Sequence, residues 1–193
     1  MPVTYRNRKG VLYTLFAKAD RMGKVRYHFT SQAVEAPVES LPPGYEIVEN
    51  VNGMVSLARQ RPALVLPGEL RALDAALKRH PDAGNYRVEV RAKQVIIHEG
   101  MSAGFDLLMS IMSPVRPAAV LEKARREIEN LVRFTPVMRF TLVNEGGRVF
   151  RAERWAYGTL ERNWVDTGHS GPLAELAQEL VPLLGTDEFF DLY

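Results

Sequence analysis

The chain contains no cysteine. A disulfide framework and any zinc site built on thiolates are therefore excluded. The compartment is not settled by this, because exported proteins can also lack cysteine. Long apolar runs are missing too. The longest apolar stretches reach about half of the roughly 20 residues that a membrane-spanning helix needs. The N-terminal segment MPVTYRNRKG has no apolar h-region, so it does not read as a secretory signal peptide. The expectation is a protein with no membrane segment and, by default, a cytoplasmic one. Histidine is scarce. The four, His28, His80, His98 and His169, are scattered, and no two stand at metal-ligand spacing.

Net charge is also small, at +2. Its distribution says more than its size. Residues 1–30 hold Arg6, Arg8, Lys9, Lys18, Arg21, Lys24 and Arg26 against the single Asp20, a net of +6, so the remainder carries −4. Arginine outnumbers lysine by 19 to 6, a bias that a GC-rich genome explains as well as any functional demand does. What is present in quantity is ordinary: 46% apolar and 25% charged residues over 193 positions, enough for a core of one large domain or two small ones.

The pattern along the chain predicts hairpins first. Asn7–Gly10 and Asp20–Gly23 are turns between β-rich segments, and Val25, Tyr27 and Phe29 alternate with Arg26 and His28. That period of two predicts a strand with one buried face and one wet face. Pro37, Pro42 and Pro43 make a loop of residues 31–44. Tyr45–Val48 and Met54–Leu57 pair across Asn52-Gly53, and Arg61-Pro62 and Pro67-Gly68 then punctuate the chain. Helices are predicted over Glu69–Arg79, from Pro117 through Leu131, and after Gly171-Pro172 with Leu173, Leu176, Ala177 and Leu180 on one face. Strands are predicted over Tyr86–Val90, Gln94–His98, Phe134–Val143, Arg148–Tyr157 and Leu160–Val165. A last turn of helix runs from Thr186 as N-cap. The fold class read from this is α+β, an antiparallel sheet built from hairpins with about three helices. The division read is a basic β-hairpin module over 1–62 and an α+β domain over 63–193, with one continuous domain as the alternative.

Three kinds of site are worth weighing. Gly100-Met101-Ser102-Ala103-Gly104 matches the G-x-S-x-G nucleophile elbow, and Asp166 and His169 follow in triad order. Against it, an elbow belongs to a parallel sheet, no oxyanion glycine cluster lies upstream, and Asp166 and His169 are close enough to share one loop. A glycine-rich turn is the plainer reading. The second candidate is the basic N-terminal module. Arg6, Arg8, Lys9, Arg21, Lys24 and Arg26 suit phosphates, and Tyr5, Tyr13, Tyr27 and Phe29 suit base stacking. The plainer reading makes the aromatics core and the cations a solvated face. An acidic protein is the other partner such a surface fits. Third, metal chemistry has little to stand on. His98-Glu99 opens like a zinc-protease motif, but Ser102 stands where the second histidine belongs. Glu46/Glu49 and Glu175/Glu179 read as solvated pairs, and Gly146-Gly147 as a turn. The sequence points to no metal and no cofactor.

Some stretches carry a likeness. Asn7-Arg8-Lys9-Gly10, Gly23–Phe29, Pro43–Asn50 and Leu184–Phe190 resemble a family of bacterial hypothetical proteins. The resemblance implies a complete natural unit and brings no activity, cofactor or site residue with it. The reading is therefore a non-enzymatic binding protein that contacts nucleic acid or an acidic protein through its basic N-terminal module, with a small serine hydrolase built on Ser102 as the alternative.

Overall fold

The structure, a computed structural model, describes residues 1–32, 36–100, 132–156 and 164–192. They fall into two compact units, Met1–Arg61 and Pro62–Tyr193. The class is α+β with antiparallel sheets.

In the first unit, β1 (Thr4–Arg6), β2 (Leu12–Ala19) and β3 (Val25–Thr30) form one sheet with β2 central, while β4 (Tyr45–Glu49) pairs with β5 (Val55–Arg59). A single device makes three of its turns. Asn7, Asp20 and Asn50 each accept two amides on one side-chain oxygen: Lys9 and Val11 at 3.0 and 2.9 Å, Met22 and Lys24 at 3.0 Å each, Asn52 and Met54 at 3.0 Å each. Three residues on, Gly10, Gly23 and Gly53 take φ of 78°, 78° and 79°. Each donates its amide back to the carbonyl of that same Asn or Asp. The side chain thus mimics a backbone acceptor and closes the turn locally. The core of this unit is small: Leu15 is fully buried and Val51 nearly so.

The second unit starts with α1 (Pro67–Arg79). Five strands follow, β6 (Tyr86–Arg91), β7 (Gln94–Gly100), β8 (Phe134–Asn144), β9 (Val149–Trp155) and β10 (Trp164–Gly171), and then α2 (Leu173–Leu180) and α3 (Asp187–Phe190). The sheet order is β10-β9-β8-β7-β6, every pair antiparallel. Val95, Ile97, Met138, Phe140, Leu142, Phe150 and Ala152 supply the apolar face. They share one core with Leu73, Ala76 and Leu77 of α1 and Leu173, Leu176, Ala177 and Leu180 of α2. The opposite face is polar. Glu89, Ile96, Arg139, Glu153 and Asp166 are register neighbours across all five strands. Arg139 grips Glu153 with two bonds of 2.8 and 2.6 Å and lies 4.4 Å over the Trp164 ring, which meets Trp155 edge-on at 5.0 Å.

Of the strand predicted over Leu160–Val165, residues 160–163 lie outside the described residues; the described strand runs over Trp164–Gly171, so Asp166 and His169 lie in a strand and not in a shared loop. The stretch from Asp166 to His169, close enough in sequence to share a loop, is carried in the strand through an irregularity between Asp166 and Ser170, where Gly168 takes φ 73°. The helix predicted from Pro117 through Leu131 lies outside the described residues, as does Ser102. Thr186 stands at the N-cap of α3, but its hydroxyl donates to the Leu183 carbonyl at 2.7 Å and does not cap. Phe189 of α3 is buried in the unit's own core.

Candidate nucleic-acid interface

β2 and β3 outrun the rest of their sheet. β1 pairs with β2 only at Leu12–Thr14, and Pro37 bridges Phe16. Beyond Phe16 three register pairs remain, Ala17 with Tyr27, Lys18 with Arg26 and Ala19 with Val25. The Asp20–Gly23 turn closes them. Every described residue from Ala17 through His28 is exposed except Asp20.

This overturns the expectation of one buried face on β3. Val25 is 51% exposed and Tyr27 37%, beside Arg26 and His28, which are exposed as well. Alternation marks a half-buried strand only where a second layer covers one face, and no described element covers this end. Met22 caps the ribbon at 93% exposure. The result is a two-stranded arm carrying Lys18, Arg21, Lys24 and Arg26 with Asp20 as its sole acid. Arg26 Nε lies 3.3 Å from Asp20 Oδ2. The Lys24 amide, and after it the Met22 amide and the Arg26 side chain, hold the Asp20 carboxyl below its ordinary value against the cost of burial. Asp20 is thereby spent inside the turn. Among the described residues Lys18, Arg21 and Lys24 form no ion pair.

The six cations singled out in the sequence do not form one surface. Arg21, Lys24 and Arg26 sit at the arm. Arg6, Arg8 and Lys9 sit at the other end of β2, about 25 Å away for a strand of this length. There Arg6 and Arg8 brace turns, while the Lys9 ammonium has no ion pair among the described residues. Arg6 donates to the Gly10 carbonyl at 2.7 Å; Arg8 pairs with Glu49 at 3.1 Å and donates to the Asn50 carbonyl. Glu49 also accepts the Arg8 amide at 3.1 Å and the Tyr5 hydroxyl at 3.1 Å. Glu49 is therefore a structural hub, not half of a free carboxylate pair. Lys18, outside those six, belongs with the arm. Its cross-strand neighbour Arg26 was the available signal.

The hydrolase residues are differently placed. His169 Nδ1 lies 2.7 Å from the Thr167 carbonyl, to which it can only donate, and Nε2 lies 3.6 Å from Glu179. Asp166 accepts the Gly168 amide at 2.8 Å and faces Arg151 at 3.7 Å. Among the described residues, then, Asp166 does not orient His169, although both line one open depression of about 350 Å³ with Arg151, Gly168 and Ser170. Of the other histidines, His28 and His80 are engaged within the fold. His28 packs on Phe16, with 5.5 Å between ring centres. His80 is buried, Nε2 against the Leu184 carbonyl at 3.1 Å and Nδ1 accepting the Asp82 amide. His98, also buried, has Nε2 3.1 Å from Glu89 in a contact without hydrogen-bond geometry, and its Nδ1 has no hydrogen-bond partner among the described residues. His98 and then Arg91 hold the Glu89 carboxyl at about 2 despite its burial. Among the described residues no group of three or more metal-ligating side chains gathers. No described helix is long and apolar enough to cross a membrane.

Comparison of the chain with family models, with curated proteins and with solved structures gives no match. The likeness of its short stretches to a bacterial family is not supported by any of these, and the functional reading rests on the geometry alone.

Proposed function

We propose that this is a non-enzymatic binding protein whose β2–β3 arm docks on nucleic acid. One observation carries the reading: a freestanding two-stranded ribbon that presents Lys18, Arg21 and Lys24 without carboxylate partners among the described residues. Met22, Val25 and Tyr27 stand exposed among them. A ribbon of this width enters the major groove of a duplex. Its cations replace condensed counterions on phosphates, and the exposed apolar side chains contact sugar and base edges. The Met1–Arg61 unit acts in this reading as the binding module, and a cytoplasmic site of action goes with it. The hydrolase alternative gains nothing from an Asp166 and a His169 that are each engaged elsewhere.

The test is fluorescence anisotropy on a labelled short duplex across a salt series. Binding through three free cations gives a slope of log K against log salt of about −3. The charge reversal K18E/R21E/K24E abolishes binding, and the control K78E on α1 leaves it unchanged. Binding that survives the arm reversal, or that ignores salt, removes this function. Arm-dependent binding to polyglutamate with none to the duplex would move the partner to an acidic protein.

A further inference from the structure

β6 is an open edge of the five-stranded sheet: among the described residues it pairs with β7 alone. An unpaired edge exposes a row of amides and carbonyls that pair readily with another strand. On its helix-bearing side β6 carries Val88 and Val90, opposite Ile97 and Val95. Both are large apolar residues at a core rim, yet they stay 37% and 41% exposed. On its polar side it carries Arg87, Glu89 and Arg91. Arg87 is ordered along the edge by the Gly84 and Tyr86 carbonyls at 2.9 and 2.8 Å.

We propose that β6 pairs antiparallel with β6 of a second copy about a two-fold axis through Val88, joining two five-stranded sheets into one. The charge pattern selects both the occupant and the register. With the axis at Val88, Val88 meets Val88, each Arg87 meets a Glu89, and each Tyr86 meets a Val90. Opposite charges and apolar groups thus face each other directly. With the axis at Glu89, Glu89 would face Glu89 and Arg87 would face Arg91, all like charges. With the axis at Val90, Glu89 would meet Arg91, but Arg87 would face Lys93 and Val88 would face Ala92, both in the turn beyond the end of β6, so only three residues of the strand would pair. Charges that guard an edge by repulsion would be of one sign, and these alternate. The axis stands perpendicular to the sheet, so the helices of both copies lie on the same side. This inference is independent of the arm and of what the arm binds.

The chain's lack of cysteine makes the test direct. V88C supplies a single thiol, and residues facing each other across an antiparallel pair have Cα separations that fit a disulfide. Mild oxidation should link V88C into a covalent dimer at least about tenfold faster than V90C, whose neighbour is Tyr86. Sedimentation of the unmodified chain should show monomer passing to dimer between about 1 and 300 µM, the range suited to an interface of one strand pair. V88K and V88E, each checked for native circular dichroism, should each stay monomeric, and their equal mixture should dimerise. A chain that stays monomeric throughout that range, equal cross-linking at 88 and 90, or a dimer that persists in V88K each overturns the proposal.

Discussion

Glu69 does two things at the start of α1. Its Oε2 accepts the Leu66 amide at 2.7 Å, satisfying an orphan donor of the first turn. Its two oxygens also take Arg148 at 2.8 and 2.6 Å, and Arg148 donates onward to the Leu64 carbonyl at 3.0 Å. One carboxylate thus ties the helix start to the turn between β8 and β9. Burial works against its charge, but Arg148 and the Leu66 amide outweigh burial and hold the Glu69 carboxyl below its ordinary value. A carboxyl depressed by folding adds stability that is full above its unfolded pKa and is lost as pH falls through the folded one. E69Q should therefore destabilise the second unit by about 1–2 kcal/mol at pH 7, the scale of a lost charge-assisted bond. The gap should narrow on approach to pH 3. Urea melts of both proteins followed by Trp fluorescence test this, since Trp155 and Trp164 both lie in that unit. A gap that does not change with pH would mean Glu69 acts through packing.

At the scale of elements, the repeated turn allows an internal comparison. Gly23 takes φ 78° and a Cβ there would meet nothing within 4 Å. G23A should cost only the left-handed backbone, about 1 kcal/mol. Gly53 takes φ 79°, but its Cβ would stand 3.2 Å from Asn7 Nδ2 and 3.3 Å from the Lys9 stem. Asn7 is buried and donates to the Gly53 carbonyl at 2.7 Å. G53A should therefore cost clearly more than G23A. Amide exchange at the fully buried Leu15 gives the measurement, and equal losses would mean that the Asn7 contact yields freely. The three Asx-x-x-Gly turns were legible as motifs, because they close within four residues. The face of α2 was legible for a similar reason: Leu173, Leu176, Ala177 and Leu180 recur at 3.6 and are all buried. β3 misled because its alternation is intact while its residues Val25–His28 all lie exposed. β10 misled because a single Gly168 lets a turn-like run stay in register on both sides. Both failures are tertiary: the local signal was present, and its meaning depended on what lay across from it.

At the scale of the molecule, charge is divided between the units. Residues 1–61 sum to +4 and residues 62–193 to −2. The excess of cations that marks the sequence therefore stays with the unit that bears the arm. Composition alone pointed to that unit, but not to the separation of its cations into a bracing set and a free set, which depends on where Glu49 and the Asn50 carbonyl fall. If the arm binds duplex and β6 joins two copies, one dimer brings two arms to one duplex. The number of phosphates neutralised per binding event then doubles, and salt dependence reports it. On a duplex long enough for both arms, the wild-type slope of log K against log salt should reach about −6, against about −3 for V88K. The added lysine in V88K could only steepen that variant's slope, so a shallower one cannot come from the change in charge. Equal slopes would mean that each arm binds alone even when the dimer forms, and the two surfaces would then serve separate purposes.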